Sequence, residues 1–373
     1  MLFYCEKQTL AKALNVVRKA VSDRSTYDIM KGVMIEAREN DGKIILTGTN
    51  TETSIIKEIE ADVLEDGKLV VMAKLFGEIV RSLPNGEIRI EDNNGKVIIG
   101  YGNSAFNVVE FSSDEFPEVE LKEAVISEIT IEKEQFGRMV DRTVFAASQE
   151  PAKGVLQGLY TDIKDGVMRM VAIDGFRLAM ATENIEDHDF SGSFIIDAKA
   201  MSEINKIFQD DTAEDSVHIS FTEKNAVFRG KNTRITVRLM EGKYIDYERL
   251  LTIGEYFTVG VEKKYLSDSV ERASIFSTDG RNNLIRVTLG GDKLTIQARS
   301  EAGNVREEIP VRTDHTSDFE IGFNARYMQD MLKVIDDEDI YMLFVTPTTS
   351  SMIVPLEGDE YKYLLLPVRL PKY

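Results

Sequence analysis

Ala73-Lys-Leu-Phe-Gly-Glu-Ile79, Ala198-Lys-Ala-Met-Ser-Glu-Ile204 and Ala325-Arg-Tyr-Met-Gln-Asp-Met331 are three versions of one stretch, their alanines 125 and 127 residues apart. A second marker keeps the same order: Arg18-Lys-Ala-Val21, Arg142-Thr-Val-Phe145 and Arg272-Ala-Ser-Ile275, with arginines 124 and 130 residues apart. Such a period exceeds a solenoid unit of about 20–50 residues and has the size of a whole domain. The chain is therefore expected to hold three similar domains, 1–124, 125–252 and 253–373. The joints are polar or mixed segments with no long flexible linker.

Within each repeat the pattern predicts two helices, each followed by several strands. Leu10, Leu14, Val17 and Val21 follow the spacing of one buried helical stripe. Lys12 and Lys19 fall almost opposite it, with Lys7 and Arg18 on its flanks. Strand-like runs include 43–47, 97–100, 216–221, 234–238 and 293–297, with turn signals at Asp41-Gly42, Asn94-Gly95 and Gly290-Gly-Asp292. Strand runs outweigh helices, so the expected class is α+β with mainly antiparallel sheet.

The charge is unevenly distributed. The chain of 373 residues carries −19 overall, which by itself argues against a general nucleic-acid coat. Yet the six expected helices, 7–22, 74–82, 133–145, 199–207, 264–276 and 326–335, hold fifteen basic and seven acidic residues, so the remainder carries −27. Net basic helices on an acidic body point to a local phosphate-facing surface; helix propensity of Lys and Arg is the plainer explanation of any single helix.

Cys5 is the one cysteine, which rules out intramolecular disulfides and points to a reducing, cytoplasmic setting. The start of the chain does not resemble a signal peptide, and no apolar run reaches the length of a membrane span. His188, His218 and His315 are scattered without ligand spacing. Asp336-Asp-Glu-Asp339 fits a solvated turn better than a magnesium site. Phosphate-loop, nucleophile-elbow and zinc-protease motifs are absent. The reading is a non-catalytic binding body that needs no cofactor and no metal.

Two further stretches sharpen this. Val171-Ala-Ile-Asp-Gly-Phe-Arg-Leu-Ala179 reads as strand, tight turn, strand, and Leu364-Leu-Leu-Pro-Val-Arg-Leu370 as an apolar closing segment. With Gly242-Lys-Tyr-Ile-Asp-Tyr247 and the three repeats, they resemble the bacterial DNA polymerase III beta subunits, the replicative sliding clamps, over the whole chain. The resemblance implies a head-to-tail homodimer that closes a ring around duplex DNA, with helices inside and a continuous antiparallel sheet outside. It implies a processivity factor that tethers the polymerase and the clamp loader through short apolar peptides of the Q-L-x-L-F kind.

Carried over residue by residue, the resemblance implies a peptide pocket of Leu156, Ile173, Gly175, Phe176, Arg177, Leu178, Ile245, Arg249 and Leu250. Thr348, Ser350, Leu364, Leu365, Leu366, Pro367, Val368, Arg369 and Leu370 complete it, and the segment Pro371-Lys-Tyr373 is a candidate cover for its edge. Phe176, Ile173 and Ile245 replace the family's usual His, Thr and Pro, which makes the expected pocket greasier. The implied DNA contacts are Lys12, Arg24, Lys74, Gln149, Lys153 and Lys199; Lys153 stands in for an aromatic pair the family often carries. The implied ring joint sets Phe106 and Val108 of one subunit against Ile275 and Phe276 of the other. An acidic three-domain interaction scaffold that never encircles DNA is the alternative, and retention on circular DNA separates the two.

Overall fold

The computed structural model describes all residues except 23–24, 94, 120–122, 186–189, 212–213, 278–281 and 371–373. The same order of elements recurs three times. The first repeat runs strand Leu2–Glu6, helix α1 (Lys7–Val17), strands Gly32–Arg38, Lys43–Thr49, Thr53–Glu60, Asp62–Glu65 and Gly67–Met72, helix α2 (Ala73–Ser82), then strands Glu87–Asp92, Lys96–Tyr101 and Ser104–Phe111. The second repeat has helices α3 (Lys133–Asp141) and α4 (Ala198–Asp210) in the same places, and the short helix α5 (Tyr247–Leu251) comes after its last strand. The third repeat has α6 (Lys263–Ser274) and α7 (Ala325–Lys333).

Helix ends depart from the sequence expectation for local reasons. Apolar spacing suggested a first helix over 7–22, but α1 stops at Val17 and tightens into a 3-10 turn, Arg18–Ala20. The same happens after α3, where a 3-10 turn spans Val144–Ala146. Side-chain capping sharpens three starts: Asp197 accepts from the Lys199 and Ala200 amides, Asp246 from that of Arg249, and Asn324 from those of Arg326 and Tyr327. The buried stripe of α1 is Leu10, Ala13, Leu14 and Val17.

The chain packs as two compact units, 1–134 with 203–239, and 135–202 with 240–373. The middle repeat is thus shared between them, because each of its halves extends a neighbour's sheet. In the first unit, strand Thr233–Arg238 pairs antiparallel with Thr53–Glu60 and carries the ladder into a sheet of thirteen described strands. In the second, the C-terminal strand Tyr361–Leu365 pairs with Arg177–Asn184 inside a sheet of eight, beside a separate sheet of four.

Alternation along the strands sets the two faces. In Gly32–Arg38, Val33, Ile35 and Ala37 are buried, while Met34 and Glu36 look the other way and are half-buried. Cys5 is buried, and burial pushes its thiol up to about 12, so it is an inert packing residue.

Candidate docking groove and DNA-facing residues

The turn Asp174–Arg177 organises the groove. Asp174 accepts from the Phe176 and Arg177 amides at 2.8 and 3.0 Å, and Gly175 takes φ +95°, a conformation that favours glycine. Antiparallel pairing then fixes the neighbours. Ile173 lies opposite Leu178, Leu178 opposite Leu364, Leu364 opposite Met352, and Met352 opposite Leu343. One apolar row therefore crosses five strands, from the second repeat into the third. All five residues belong to one core cluster with Val171, Met180, Ile195, Tyr244 and Tyr247, and Leu156 packs against it.

Around this row the surface is apolar and open. Phe176, Ile245, Leu250 and Leu366 are each between 41 and 52% exposed, unusual for side chains of this size. The Phe176 ring stacks on Tyr327 of α7 with centroids 6.1 Å apart. Tyr244 stacks on Tyr160 at 5.1 Å, and Tyr247 donates its hydroxyl to Asp162 Oδ2 at 3.1 Å. Burial first, then the Asp162 carboxylate, push the Tyr247 hydroxyl above its ordinary value, so it stays a neutral donor.

The implied pocket residues fall into distinct settings. Leu156, Ile173, Leu178 and Leu364 meet in the cluster, and Leu365 is buried in the same strand. Ile245 precedes α5, and Arg249 and Leu250 lie on it, all exposed. Thr348 and Ser350 lie in the 345–350 connection between the strands that carry Leu343 and Met352. Beyond Leu366, whose amide donates to the Phe176 carbonyl at 3.0 Å, the chain leaves the row. The Val368 amide donates to the Gly322 carbonyl, and Leu370 lies over Gly322 and Leu284 of the four-stranded sheet. Leu370 therefore packs on the third repeat's own sheet instead of joining the apolar row, and Pro371-Lys-Tyr373 lies outside the described residues.

Arg177 has a different role from an open pocket cation. It is 8% exposed. Its Nε donates to Asp174 Oδ2 at 3.0 Å, Nη1 to Asp330 Oδ2 at 2.7 Å and Nη2 to the Phe145 carbonyl at 2.7 Å. The guanidinium also lies 4.4 Å from the Tyr327 ring centroid. It ties the turn to α7 and to the 3-10 turn after α3. Sequence reading missed Tyr160, Met180, Tyr244, Tyr247 and Tyr327; the period-two register from Val171 onward was the available signal for Met180, and the quoted Gly242–Tyr247 stretch for the two tyrosines.

Of the implied DNA contacts, Lys12, Lys74 and Lys199 are exposed on α1, α2 and α4. Among the described residues none of the three has a carboxylate partner. Lys19, by contrast, meets Glu203 at 3.0 Å and Arg272 meets Glu307 at 2.7 Å, so part of the helical excess is neutralised locally. Gln149 is exposed in the loop that precedes Pro151. Lys153 Nζ reaches to 4.0 Å of where a Gly175 Cβ would stand, which sets this lysine beside the groove's turn and away from a helix face. Arg24 lies outside the described residues.

The implied joint residues Phe106, Val108, Ile275 and Phe276 are also described. Phe106 is 36% and Ile275 67% exposed, Val108 is buried, and Phe276 packs against Gly303. His218 Nδ1 lies 2.9 Å from Thr130 Oγ1 and His315 stacks on Phe257; His188 is outside the described residues. Asp336, Asp337 and Asp339 engage Arg142, Tyr361 and Arg312 respectively. Among the described residues no group of three His, Cys, Asp or Glu side chains could hold a metal ion, and no helix is long and apolar enough to cross a membrane.

Three repeats on one plan, joined by shared sheets and carrying an apolar groove at one joint, define a protein of the DNA-clamp class. Models of the DNA polymerase III beta subunit match in order: the N-terminal domain over residues 1–120, the central domain over 130–246 and the C-terminal domain over 250–369. The beta sliding clamp of Staphylococcus epidermidis is 30% identical, and that of Staphylococcus aureus 28%, each over 99% of both chains. The sliding clamp structure from Bacillus subtilis superposes with a TM-score of 0.93 at 28% identity, covering all of both chains. That from Pseudomonas aeruginosa bound to griselimycin gives 0.93 at 27%, covering 99% of this chain and 100% of the other. The chain belongs to the bacterial DNA polymerase III beta subunit family: it is a DNA sliding clamp, a non-catalytic processivity factor.

Proposed function

We propose that two copies of this chain join head to tail around duplex DNA, by adding to each chain's free strand the one pairing that its repeats lack. In the first unit the fourth strand of repeat one, Thr53–Glu60, pairs with the last strand of repeat two. In the second unit the fourth strand of repeat two, Arg177–Asn184, pairs with the last strand of repeat three. Two counterparts remain. The fourth strand of repeat three, Gly303–Pro310, is the edge of its sheet, and the last strand of repeat one, Ser104–Phe111, has a second neighbour only at Glu110 and Phe111. That matched pair of open edges is the observation that carries the reading.

The existing ladders give the register. Aligning the repeats strand by strand sets Val108 opposite the partner's Gly303, Asn107 opposite Asn304 and Phe106 opposite Val305. This brings Phe106 and Val108 to the face where Phe276 packs on Gly303. Cysteines at Asn107 and Asn304, directly opposite with Cβ atoms about 4.5–5.5 Å apart, should cross-link between subunits under mild oxidation. Buried Cys5 does not compete.

Polymerase and clamp-loader peptides dock over the row from Ile173 to Leu343, against Phe176, Ile245, Leu250 and Leu366 as its open rim and with Lys153 at its turn. Lys12, Lys74 and Lys199, with Arg24, face the phosphates without reading sequence. Domain limits at 124 and 252 and a cytoplasmic location belong to the same reading. The deciding experiment loads the Asn107→Cys, Asn304→Cys protein on nicked circular plasmid, oxidises it and adds denaturing detergent. Cross-linked rings stay on the circle and leave once it is linearised. Equal loss from both forms returns the acidic scaffold that does not encircle DNA.

A further inference from the structure

The joint inside the first unit carries a cavity of its own, of about 510 Å³, within the range of about 300–1,000 Å³ usual for ligand pockets. It lies on the sheet face opposite Val33, Ile35 and Ala37. Its floor follows the same register as the groove described above. There, Ile195, Tyr160, Val171, Met180 and Lys362 are consecutive cross-strand partners. Here the matching row is Val70, Met34, Thr47, Ile56 and Arg234. Both rows are mainly apolar and end on a cation in the last strand.

The next row over separates the two joints. At the second joint it is the apolar run Ile173, Leu178, Leu364, Met352 and Leu343. At the first it is Thr49, Ser54, Thr236, Val227 and Ser220. A peptide that buries two or three large side chains has no seat on that polar row. The first cavity can take a smaller apolar anchor, between Met34, Ile56 and Phe116.

Charge decides the occupant. The lining holds five cations, Arg38, Lys68, Arg229, Lys231 and Arg234, against three carboxylates, Glu36, Glu58 and Glu118, in a chain of net charge −19. Arg38 and Lys68 are held by Glu36 at 2.8 and 3.1 Å. Exposed Lys231 and half-buried Arg234 have no carboxylate partner among the described residues. We propose that this cavity is a second docking site, selective for an extended acidic peptide that carries one bulky apolar side chain. The apolar side chain enters the floor and flanking carboxylates meet Lys231 and Arg234.

The test uses the full-length protein and a fluorescein-labelled peptide, Asp-Asp-Ser-Phe-Asp-Glu, read by anisotropy. Wild type should bind, and the double variant Lys231→Glu, Arg234→Glu should bind at least about tenfold more weakly, with the residual signal less sensitive to salt. Both substitutions sit on half-buried or exposed positions, so unchanged melting should accompany the loss. Ile56→Arg should block the floor independently. Phe176→Ala, in the other groove, should leave this peptide bound and weaken the Q-L-x-L-F peptide. The proposal is overturned if wild type does not bind, if the double variant binds as well as wild type, or if Phe176→Ala alone removes the signal. It is equally overturned if a short DNA duplex displaces the peptide more readily than unlabelled peptide does, since the cations would then be a phosphate site.

Discussion

At Arg177, one side chain does work that its position in the motif does not announce. The resemblance named it as a pocket residue, and nothing in the spacing of the stretch said where its guanidinium would go. In the fold it is nearly sealed, shared among Asp174, Asp330 and the Phe145 carbonyl. Replacing it with Ala should cost about 3–5 kcal/mol, because two carboxylates lose a buried partner; urea denaturation measures this. Arg177→Lys should recover little of it, since an ammonium cannot make the same forked contacts. Phe176 is the contrasting case. It is 52% exposed, so Phe176→Ala should leave the melting temperature almost unchanged while weakening a Q-L-x-L-F peptide by about 1.5–3 kcal/mol, the worth of one large apolar burial. Calorimetric titration reads the second effect. The neighbouring residues were legible to different degrees. The Asp174-Gly175 turn signal marked the two strands, whereas the fate of Leu370 depended on a distant glycine, Gly322, that no local pattern reveals.

Among the elements, the strands carry most of the selectivity. The second joint is apolar in a row where the first is hydroxyl-rich, although both have the same pairing. On the proposed reading, this difference is what suits the second joint to an apolar peptide. It was not legible from either strand alone, because a row is assembled from residues up to 191 positions apart, as at Ile173 and Leu364. The helices were easier to find, since apolar spacing is local. Their ends were not, because the 3-10 turns after α1 and α3 continue the same apolar spacing. The edge strand Gly303–Pro310 is tied to α6 by Arg272, which holds the Glu307 carboxyl below its ordinary value. A lowered carboxylate stabilises the fold above its ordinary range, and that contribution is lost as pH falls through the lowered value. The melting difference between wild type and Glu307→Gln should therefore be largest at neutral pH and shrink well below 4.5.

For the whole molecule, the charge count anticipated a basic helical set, and the structure refines it. Lys19 and Arg272 are spent on Glu203 and Glu307, while Lys12, Lys74 and Lys199 remain without carboxylate partners among the described residues. Changing those three to Ala should weaken binding to linear duplex and flatten its salt dependence, by a slope change of up to about 3 if each meets one phosphate. Retention on circular plasmid should change far less, because topology does the holding. The dimer depends on other residues. Ile275→Asp with Phe276→Asp should give folded monomers in sedimentation; a persistent dimer would move the joint elsewhere. The repeat itself was plain in the sequence, but the division of the middle repeat between two compact units was not. Marker spacing reports similarity along the chain, and compactness depends on which strands share a sheet.

That division constrains inheritance by parts. A cassette cut at the ends of the middle repeat would carry away Thr233–Arg238 from Thr53–Glu60 and Arg177–Asn184 from Tyr361–Leu365, severing both ladders at once. Chimeras between this chain and a distant relative should express when each ladder comes whole from one parent, and fail when the crossover follows the visible repeat. The period that makes the architecture easy to recognise is therefore a poor guide to where genes of this kind can be recombined.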